Sequence, residues 1–179
     1  MSTKESYNKY EQLPLLSYNC IAYMLDNNEM IWKLLKFNTA DAWNKLDLTR
    51  TEKSALIYAG QSKQTNFRVF MDVGADIAVK EEMCILRVTP AELIPTNHII
   101  GKVVILFEIY CHYNINHMSN YTTRLNTITQ QVIEIFNGQE IGGIGKLYFD
   151  AKSSSKCKMR VMGTIPWKGN AITFCNWLV

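Results

Sequence analysis

The segment from residue 99 to residue 150 constrains the fold most, because two different hydrophobic periods follow each other within it. Val103–Tyr110 is almost wholly apolar, which is typical of a strand that is covered on both faces. After a polar loop, Tyr121–Phe136 has apolar residues at the spacing of a helix with one buried face: Leu125, Ile128, Val132 and Ile135. A strand, a loop and a helix in this order indicate a sheet that packs against a helix.

The same helix should be polar on its other face and should end at a glycine. Arg124, Thr127, Gln131 and Glu134 are expected on the exposed face, and Asn137-Gly138 supplies the end. Gly142, Gly143 and Gly145 follow and lead into a predicted strand, Lys146–Asp150. They lack the spacing of a phosphate-binding loop and do not precede a helix, so we expect them to form a backbone bend.

Residues 1–65 have the hydrophobic period of helices. Leu16, Cys20, Tyr23 and Met24 form one helical stripe, and Met30, Ile31, Leu34 and Leu35 form another after the break at residues 26–28. A third helix is marked by Thr49 and Glu52, which have the spacing of a capping box. We expect this helix to bury Ala55, Leu56, Tyr58 and Ala59 and to end at Gly60.

Residues 66–179 are dominated by strand patterns. Besides the segments already named, strands are predicted at Phe67–Met71, Met83–Val88, Cys157–Met162 and Ile172–Leu178. Pro90 and Pro95 bracket a stretch that should be irregular or lie at a sheet edge, since proline cannot donate to a ladder. The predicted fold class is α+β: a mixed or antiparallel sheet packed against a central helix, with an N-terminal helical region at 1–65 and an α+β part at 66–179 within one compact unit.

The polar residues do not combine into a recognisable catalytic or metal-binding pattern. His112 and His117 are five residues apart, without a cysteine or carboxylate spaced to complete a zinc set. Asp72, Asp76, Glu81 and Glu82 form an acidic stretch that is better interpreted as a solvated loop than as a two-metal site. We therefore predict a protein that is not an enzyme, with no catalytic residues, no cofactor and no metal.

Cysteine usage and hydropathy indicate a protein that folds in a cytoplasm. The five cysteines include no Cys-x-x-Cys pair, which favours small buried hydrophobic residues over a disulfide framework. The first residues lack the layout of a signal peptide, and no apolar run is long enough to span a membrane. No membrane association is predicted.

Positive charge is concentrated near the C-terminus. The net charge is +3, but residues 146–179 contain six lysines and arginines against one acid. Lys152, Lys156, Lys158 and Arg160 surround a serine loop between two predicted strands. Such a hairpin can neutralise phosphates, bridge to an acidic surface of a neighbouring subunit, or simply be solvated.

Taken in order, several segments resemble the small head-to-tail connector proteins of tailed bacteriophages, in particular the ring proteins under the portal of crAss-like phages. The segments that carry this likeness are Asp47–Thr49 with Glu52-Lys53 and Leu56–Tyr58, Ile105–Tyr113, Asn120–Leu125, Phe136–Gly138 and Ile141–Leu147. The order of elements is similar to the tail-terminator and head-completion fold. The N-terminal third is longer and more helical than the minimal terminator fold.

The resemblance implies a non-enzymatic virion protein, assembled in the bacterial cytoplasm. It would form a homo-oligomeric ring, twelve-fold or six-fold, that extends the portal channel, contacts portal and other neck or tail proteins, and allows non-specific contact with packaged DNA. The aromatic residues are compatible with a chain that buries surface against neighbours: Tyr7, Tyr10, Trp32, Trp43, Trp167 and Trp177. A small nucleic-acid-binding domain that uses residues 152–160 is the alternative, and a small enzyme stays open as a third class.

Overall fold

The computed structural model describes residues 14–60, 67–71, 82–95, 101–141, 146–149, 158–162 and 167–178, with the backbone alone for 93–95, 101–102, 158–162 and 167–178. The helices are α1 (Leu16–Asn27), α2 (Met30–Lys36), α3 (Arg50–Ser54) and α4 (Arg124–Phe136). The strands are β1 (Val69–Phe70), β2 (Cys84–Pro95), β3 (Gly101–His112), β4 (Lys158–Met162) and β5 (Trp167–Leu178).

The described strands form one mixed sheet with the order β1-β2-β3-β5-β4. β1 runs parallel to β2, and the other neighbours are antiparallel. Apolar residues of α1, α2 and α4 join those of β2 and β3 in a single buried cluster, so these helices cover one face of the sheet. The predicted α+β class is confirmed.

The prediction that the central strand β3 is covered on both faces is only partly correct. Its residues under the helices are fully buried: Val103, Ile105, Phe107, Ile109 and Cys111. On the opposite face, Leu106, Glu108 and Tyr110 are half-buried. A smaller apolar cluster of Phe70, Met83 and Ile85 packs with Tyr110 on that side. The uneven cover explains why β3 tolerates a glutamate.

Asn28 joins three helices. Its backbone N–H donates to the Met24 carbonyl at the end of α1, and its Oδ1 accepts from the Ile31 N–H in the first turn of α2. Its Nδ2 donates to Gln131 Oε1 of α4 at 2.8 Å. The predicted break between the first two helices is confirmed, and this side chain is the reason that both helices end and begin there.

The third helix begins as predicted and ends early. Thr49 Oγ1 accepts from the Glu52 N–H and Glu52 accepts from the Thr49 N–H, so the capping box is present. The helix nevertheless ends at Ser54, and Ala55 is exposed, contrary to the prediction. The chain turns away because Ile57 forms a parallel bridge with Val69 beside β1. Residues with a strand preference pair with the sheet edge rather than continue the helix.

α4 begins three residues later than predicted. Tyr121 has a φ of 62°, a left-handed conformation that a helix cannot include, and Thr123 caps the helix by accepting from the Asn126 N–H. Leu125, Ile128 and Val132 are buried as predicted, but Phe136 rather than Ile135 completes the buried stripe. Gly138 has a φ of 79°, which confirms the predicted glycine end.

Two strand predictions are refined: the stretch from Pro90 to Pro95 is not irregular, but among the described residues it pairs only with β3 and so lies at a sheet edge, the other alternative that the sequence offered. β2 continues through Pro90 to Pro95 with a register shift between Pro90 and Glu92, and β1 pairs only with Leu86 and Arg87. The prolines are tolerated because this part of β2 lies beyond the residues that pair with β1. The predicted strand from Lys146 is represented in the described residues only by bridges, including Glu140 to Lys146.

Candidate functional site

The most unusual buried side chain is Arg124, the first residue of α4. It was expected on the exposed face and is instead fully buried. Its Nε donates to the Ile115 carbonyl at 3.0 Å, and its Nη2 donates to the Thr39 carbonyl at 3.0 Å. Its Nη1 donates to the carbonyls of Leu34 and Phe37, each at 2.5 Å. One guanidinium therefore joins the end of α2, the loop after it and the turn before α4.

The charge of Arg124 has a structural purpose. Burial lowers the pKa of its guanidinium, but arginine begins so far above neutrality that the group keeps its charge. Leu34 belongs to the last turn of α2 and Phe37 caps it, so the cation lies at the negative end of the helix dipole. Planar donors that point in several directions suit this position better than the single ammonium of lysine. The arrangement holds elements together and leaves the guanidinium little capacity to bind a ligand.

Lys53 performs a similar task at the end of α1. It is buried although it belongs to the short helix α3. Its Nζ donates to the Leu25 carbonyl at 3.0 Å and pairs with the Glu29 carboxylate. As with Arg124, a buried cation satisfies carbonyls at a helix C-terminus. Both buried cations are used for structure.

The three cysteines whose side chains the structure describes behave as the composition predicted. Cys20, Cys84 and Cys111 are buried and free, and Cys84 lies opposite Cys111 in the ladder of β2 and β3. Burial raises the pKa of the Cys20 thiol to about 12. A hydrogen bond with Cys84, together with burial, raises the pKa of Cys111. The Cys20 and Cys111 thiols therefore stay protonated near neutral pH and are poor nucleophiles.

Large apolar side chains are exposed at six described positions, which are Leu15, Tyr18, Leu46, Tyr113, Tyr121 and Tyr148. Tyr121 is completely exposed and Leu46 is 90% exposed. Sequence reasoning missed all six and chose other aromatic residues, of which Trp32 is wrong because it is fully buried and donates to the Met24 carbonyl. Exposed tyrosines are typical anchors of protein interfaces.

The Tyr121 loop is held firmly although its tip is exposed. Met118 donates its backbone N–H to the Thr122 carbonyl at 3.0 Å, and the Tyr121 N–H donates to the Met118 carbonyl. Ser119 is fixed to the loop after α2, because its N–H donates to the Ala40 carbonyl and its hydroxyl accepts from Trp43 Nε1. The loop therefore presents Tyr121 from a defined backbone in a conformation that is rare for tyrosine.

The YomW protein family matches residues 28–162 of this sequence. The chain belongs to the YomW family. The family takes its name from a gene in the Bacillus phage SPbeta region, which associates this chain with phage proteins. No curated protein matches the sequence. The predicted phage association is supported at this level, while the position in a phage neck stays a prediction.

The YomW match includes Arg124, the Tyr121 loop and Lys53, and begins at Asn28, after α1. The glycines of the predicted backbone bend fall inside the matched region but outside the described residues: Gly142, Gly143 and Gly145. The predicted backbone bend at these glycines stays a prediction.

The basic hairpin of this YomW chain is described only in part. Lys152 and Lys156 lie outside the described residues. The backbone of Lys158 and Arg160 belongs to β4, where they pair with Ala171 and Gly169 of β5. The strand after the serine loop was thus predicted correctly.

Of the polar residues considered for metal binding, the structure describes His112, His117 and Glu82. His112 is buried, and its Nδ1 accepts from the Asn114 N–H, whereas His117 is exposed. Glu82 is exposed and accepts from Asn114 Nδ2, and Asp72, Asp76 and Glu81 lie outside the described residues. Within the described ranges, no three His, Cys, Asp or Glu side chains are close enough to hold a metal ion. No helix in those ranges is long and apolar enough to cross a membrane.

Proposed function

We propose that this YomW-family chain is a structural virion protein that forms a homo-oligomeric ring in the phage neck. In this position it joins portal and capsid to the tail and extends the DNA channel. It acts without catalysis, cofactor or metal, and its neighbours are further copies and the portal and tail proteins. The fold is suited to such a task, because a sheet backed by helices gives each copy a rigid body.

The observation that carries the proposal is where the described residues place their charged and their apolar side chains. The buried cations Arg124 and Lys53 cap helices, and the cysteines Cys84 and Cys111 are packed as thiols. Large apolar side chains, in contrast, are exposed on the surface of this member of a phage-associated family. A protein of this kind works through contacts rather than through a reaction.

Electron microscopy of the purified protein, combined with its mass in solution, tests the proposal directly. We expect closed rings in negative stain and a mass that corresponds to a whole number of copies, six or twelve. Antibodies against the chain should label purified virions between head and tail. A strictly monomeric protein that is absent from virions would contradict the proposal.

The alternative, a small nucleic-acid-binding domain, is favoured by the charge of residues 146–179, which contain six basic residues and one acidic residue. A monomer of this kind would bind DNA with an affinity that falls steeply with salt. The two functions differ in stoichiometry, so the same mass measurement, made with and without a short DNA duplex, distinguishes them.

A further inference from the structure

Cys84 and Cys111 lie directly opposite each other in the ladder of β2 and β3. The next pair in the register is hydrogen-bonded, because the His112 N–H donates to the Met83 carbonyl at 3.1 Å. Hydrogen-bonded and non-hydrogen-bonded pairs alternate along an antiparallel ladder, so Cys84 and Cys111 form a non-hydrogen-bonded pair. The Leu86 N–H agrees with this phase, since it donates to the residue before β1 rather than to β3.

A pair of this kind holds two cysteines as close as a disulfide requires. Residues opposite each other at a non-hydrogen-bonded position have Cα atoms about 4.5 Å apart. Cysteines that are joined by a disulfide have Cα atoms about 4.4 to 6.8 Å apart. In the reduced protein the Cys84 and Cys111 thiols share a hydrogen bond, so their sulfur atoms lie next to each other. A bond between the two sulfur atoms therefore needs little movement of the backbone.

The pair lies on the face of the sheet that the helices cover. Cys84 and Cys111 are fully buried and belong to the same apolar cluster as Leu125 in the first turn of α4. The hydrogen bond with Cys84 and burial raise the pKa of the Cys111 thiol, and the charge of the nearby Arg124 guanidinium opposes them. A cation beside a thiol favours the thiolate, which is the form that attacks a disulfide.

We propose that Cys84 and Cys111 are a redox site, at which a low-molecular-weight disulfide oxidises the two thiols to a cross-strand disulfide. One cysteine, as its thiolate, attacks the oxidant, forms a mixed disulfide and releases one small thiolate. The thiolate of the other cysteine then attacks the sulfur of the first cysteine and releases the second small thiolate. Each released thiolate takes up a proton that a cysteine gave to solvent. Two electrons and two protons thus pass from the protein to the oxidant, which becomes two thiols.

The position of the pair at the end of the ladder gives the oxidant a route. Cys84 is the first residue of β2, and Cys111 is the last but one residue of β3. The ends of a ladder open at a lower free energy than its centre. Both thiols are shielded while the ladder is closed, so oxidation follows local opening and is slow.

The disulfide would join β2 to β3 beneath the start of α4. It would close a loop from residue 84 to residue 111, which restricts the unfolded chain and so stabilises the folded one. The two cysteines belong to one copy of the chain, so the site does not depend on the proposed ring. For the proposed virion protein, release from a reducing cytoplasm would supply the oxidising conditions.

Peptide mapping of the purified full chain identifies which cysteines become linked. The folded protein is incubated with glutathione disulfide, free thiols are blocked with N-ethylmaleimide, and the chain is digested with trypsin without reduction. Cleavage after lysine and arginine places the five cysteines on five different peptides. We expect one linked species, which joins peptide 81–87 to peptide 103–124, and an intact chain that is lighter than the reduced chain by two hydrogen atoms.

Thermal unfolding with and without the oxidant measures the effect of the link. We expect oxidation to raise the unfolding midpoint of the wild type by at least about 5 °C, and dithiothreitol to reverse the rise. Cys84→Ala should show no rise. Cys20→Ala is the matched control, because it removes an equally buried thiol and should show the same rise as the wild type. Each variant is compared with its own reduced form, so a change in packing does not affect the result.

Three results would overturn the proposal. Wild-type thiols that stay reduced, or that stop at glutathione adducts, would show that the pair does not close. A link between other cysteines would show that the register of β2 and β3 does not direct the reaction. An equal rise of the midpoint in Cys84→Ala would assign the stabilisation to other thiols. The peptide map needs the wild type alone, so it decides the matter even if Cys84→Ala does not fold.

Discussion

The Arg124 guanidinium donates a hydrogen bond to the Leu34 carbonyl across 90 positions of the sequence, at a distance of 2.5 Å. Three further carbonyls, those of Ile115, Phe37 and Thr39, depend on the same side chain. The contact fixes the start of α4 to the end of α2 and so keeps the Tyr121 loop next to the loop after α2. Removal of the Arg124 side chain should therefore lower the stability of the fold and also change the position of the exposed Tyr121 loop.

We predict that Arg124→Met lowers the free energy of unfolding by about 3 kcal/mol or more, because it leaves buried carbonyls without donors. The free energy of unfolding of Arg124→Lys should lie between those of Arg124→Met and the wild type, since lysine keeps the charge but lacks the planar guanidinium donors. Urea unfolding followed by circular dichroism gives the values. An Arg124→Met protein as stable as the wild type would show that the carbonyls find water instead.

We predict that Tyr121→Gly unfolds with a free energy about 1 kcal/mol higher than Tyr121→Ala, since only glycine relieves the left-handed backbone. Both variants lack the aromatic side chain of Tyr121, so the difference in stability between them reports only the backbone strain. The measurement belongs at concentrations where the chain is monomeric, because association adds to apparent stability. The converse substitution, Gly138→Ala, should destabilise, as Gly138 also has a positive φ. Equal stability of the two Tyr121 variants would contradict the expected strain.

We predict that Glu52 causes part of the loss of stability as the pH falls from about 4.5 to about 2. A hydrogen bond from Lys36, followed by those from Thr49, lowers the pKa of this carboxyl from 4.5 to about 2. When the pKa of a carboxyl is lower in the folded than in the unfolded protein, its ionised form stabilises the fold. This stabilisation is fully present above the unfolded-state pKa and is lost as the pH falls through the folded-state pKa. Glu52→Gln keeps a capping acceptor but cannot titrate, so its unfolding midpoint should change less over this range. Parallel pH profiles for the two proteins would refute the assignment.

We predict that the triple change of Lys152, Lys156 and Lys158 to Glu impairs head-to-tail attachment or genome retention while the chain stays folded. The three lysines lie within seven residues and can act on one acidic partner, either DNA or a neighbouring subunit. Their effect should weaken with salt, since the Debye length is about 10 Å at 0.1 M. A triple Lys→Gln variant separates loss of attraction from repulsion. Virions of the Glu variant that assemble and hold DNA normally would show that the hairpin is only solvated.

Local signals in the sequence predicted local structure well. The Thr49 and Glu52 box, the break at Asn28 and the glycine end at Gly138 each depend on residues within one turn, and all three are present. The α+β class followed from the change of period at residue 66. The end of α3 was mispredicted because Ile57 gains a partner, Val69, that the local pattern cannot show.

The candidate site was harder to predict because its partners are distant in sequence. Arg124 lies four residues before Ile128 and so belongs to the buried stripe, but a charged residue there is normally interpreted as exposed. Its acceptors are backbone carbonyls, which no pattern of side chains can reveal. Tyr121 was likewise missed, since nothing in a tyrosine marks a left-handed backbone.

The order of strands has a consequence for how the chain folds in time. One edge of β3 pairs with β2, which lies just before it in the sequence. The other edge pairs with β5, which lies much further along the chain: Gly101 pairs with Leu178 and Cys111 with Lys168. Pairing of strands so far apart in sequence is slow, and until β5 pairs, the largely apolar 12-residue strand β3 keeps an open edge. Newly made chains are therefore most prone to aggregate before β5 docks. In the proposed ring, orderly assembly requires that this last pairing be faster than the encounter of newly made copies.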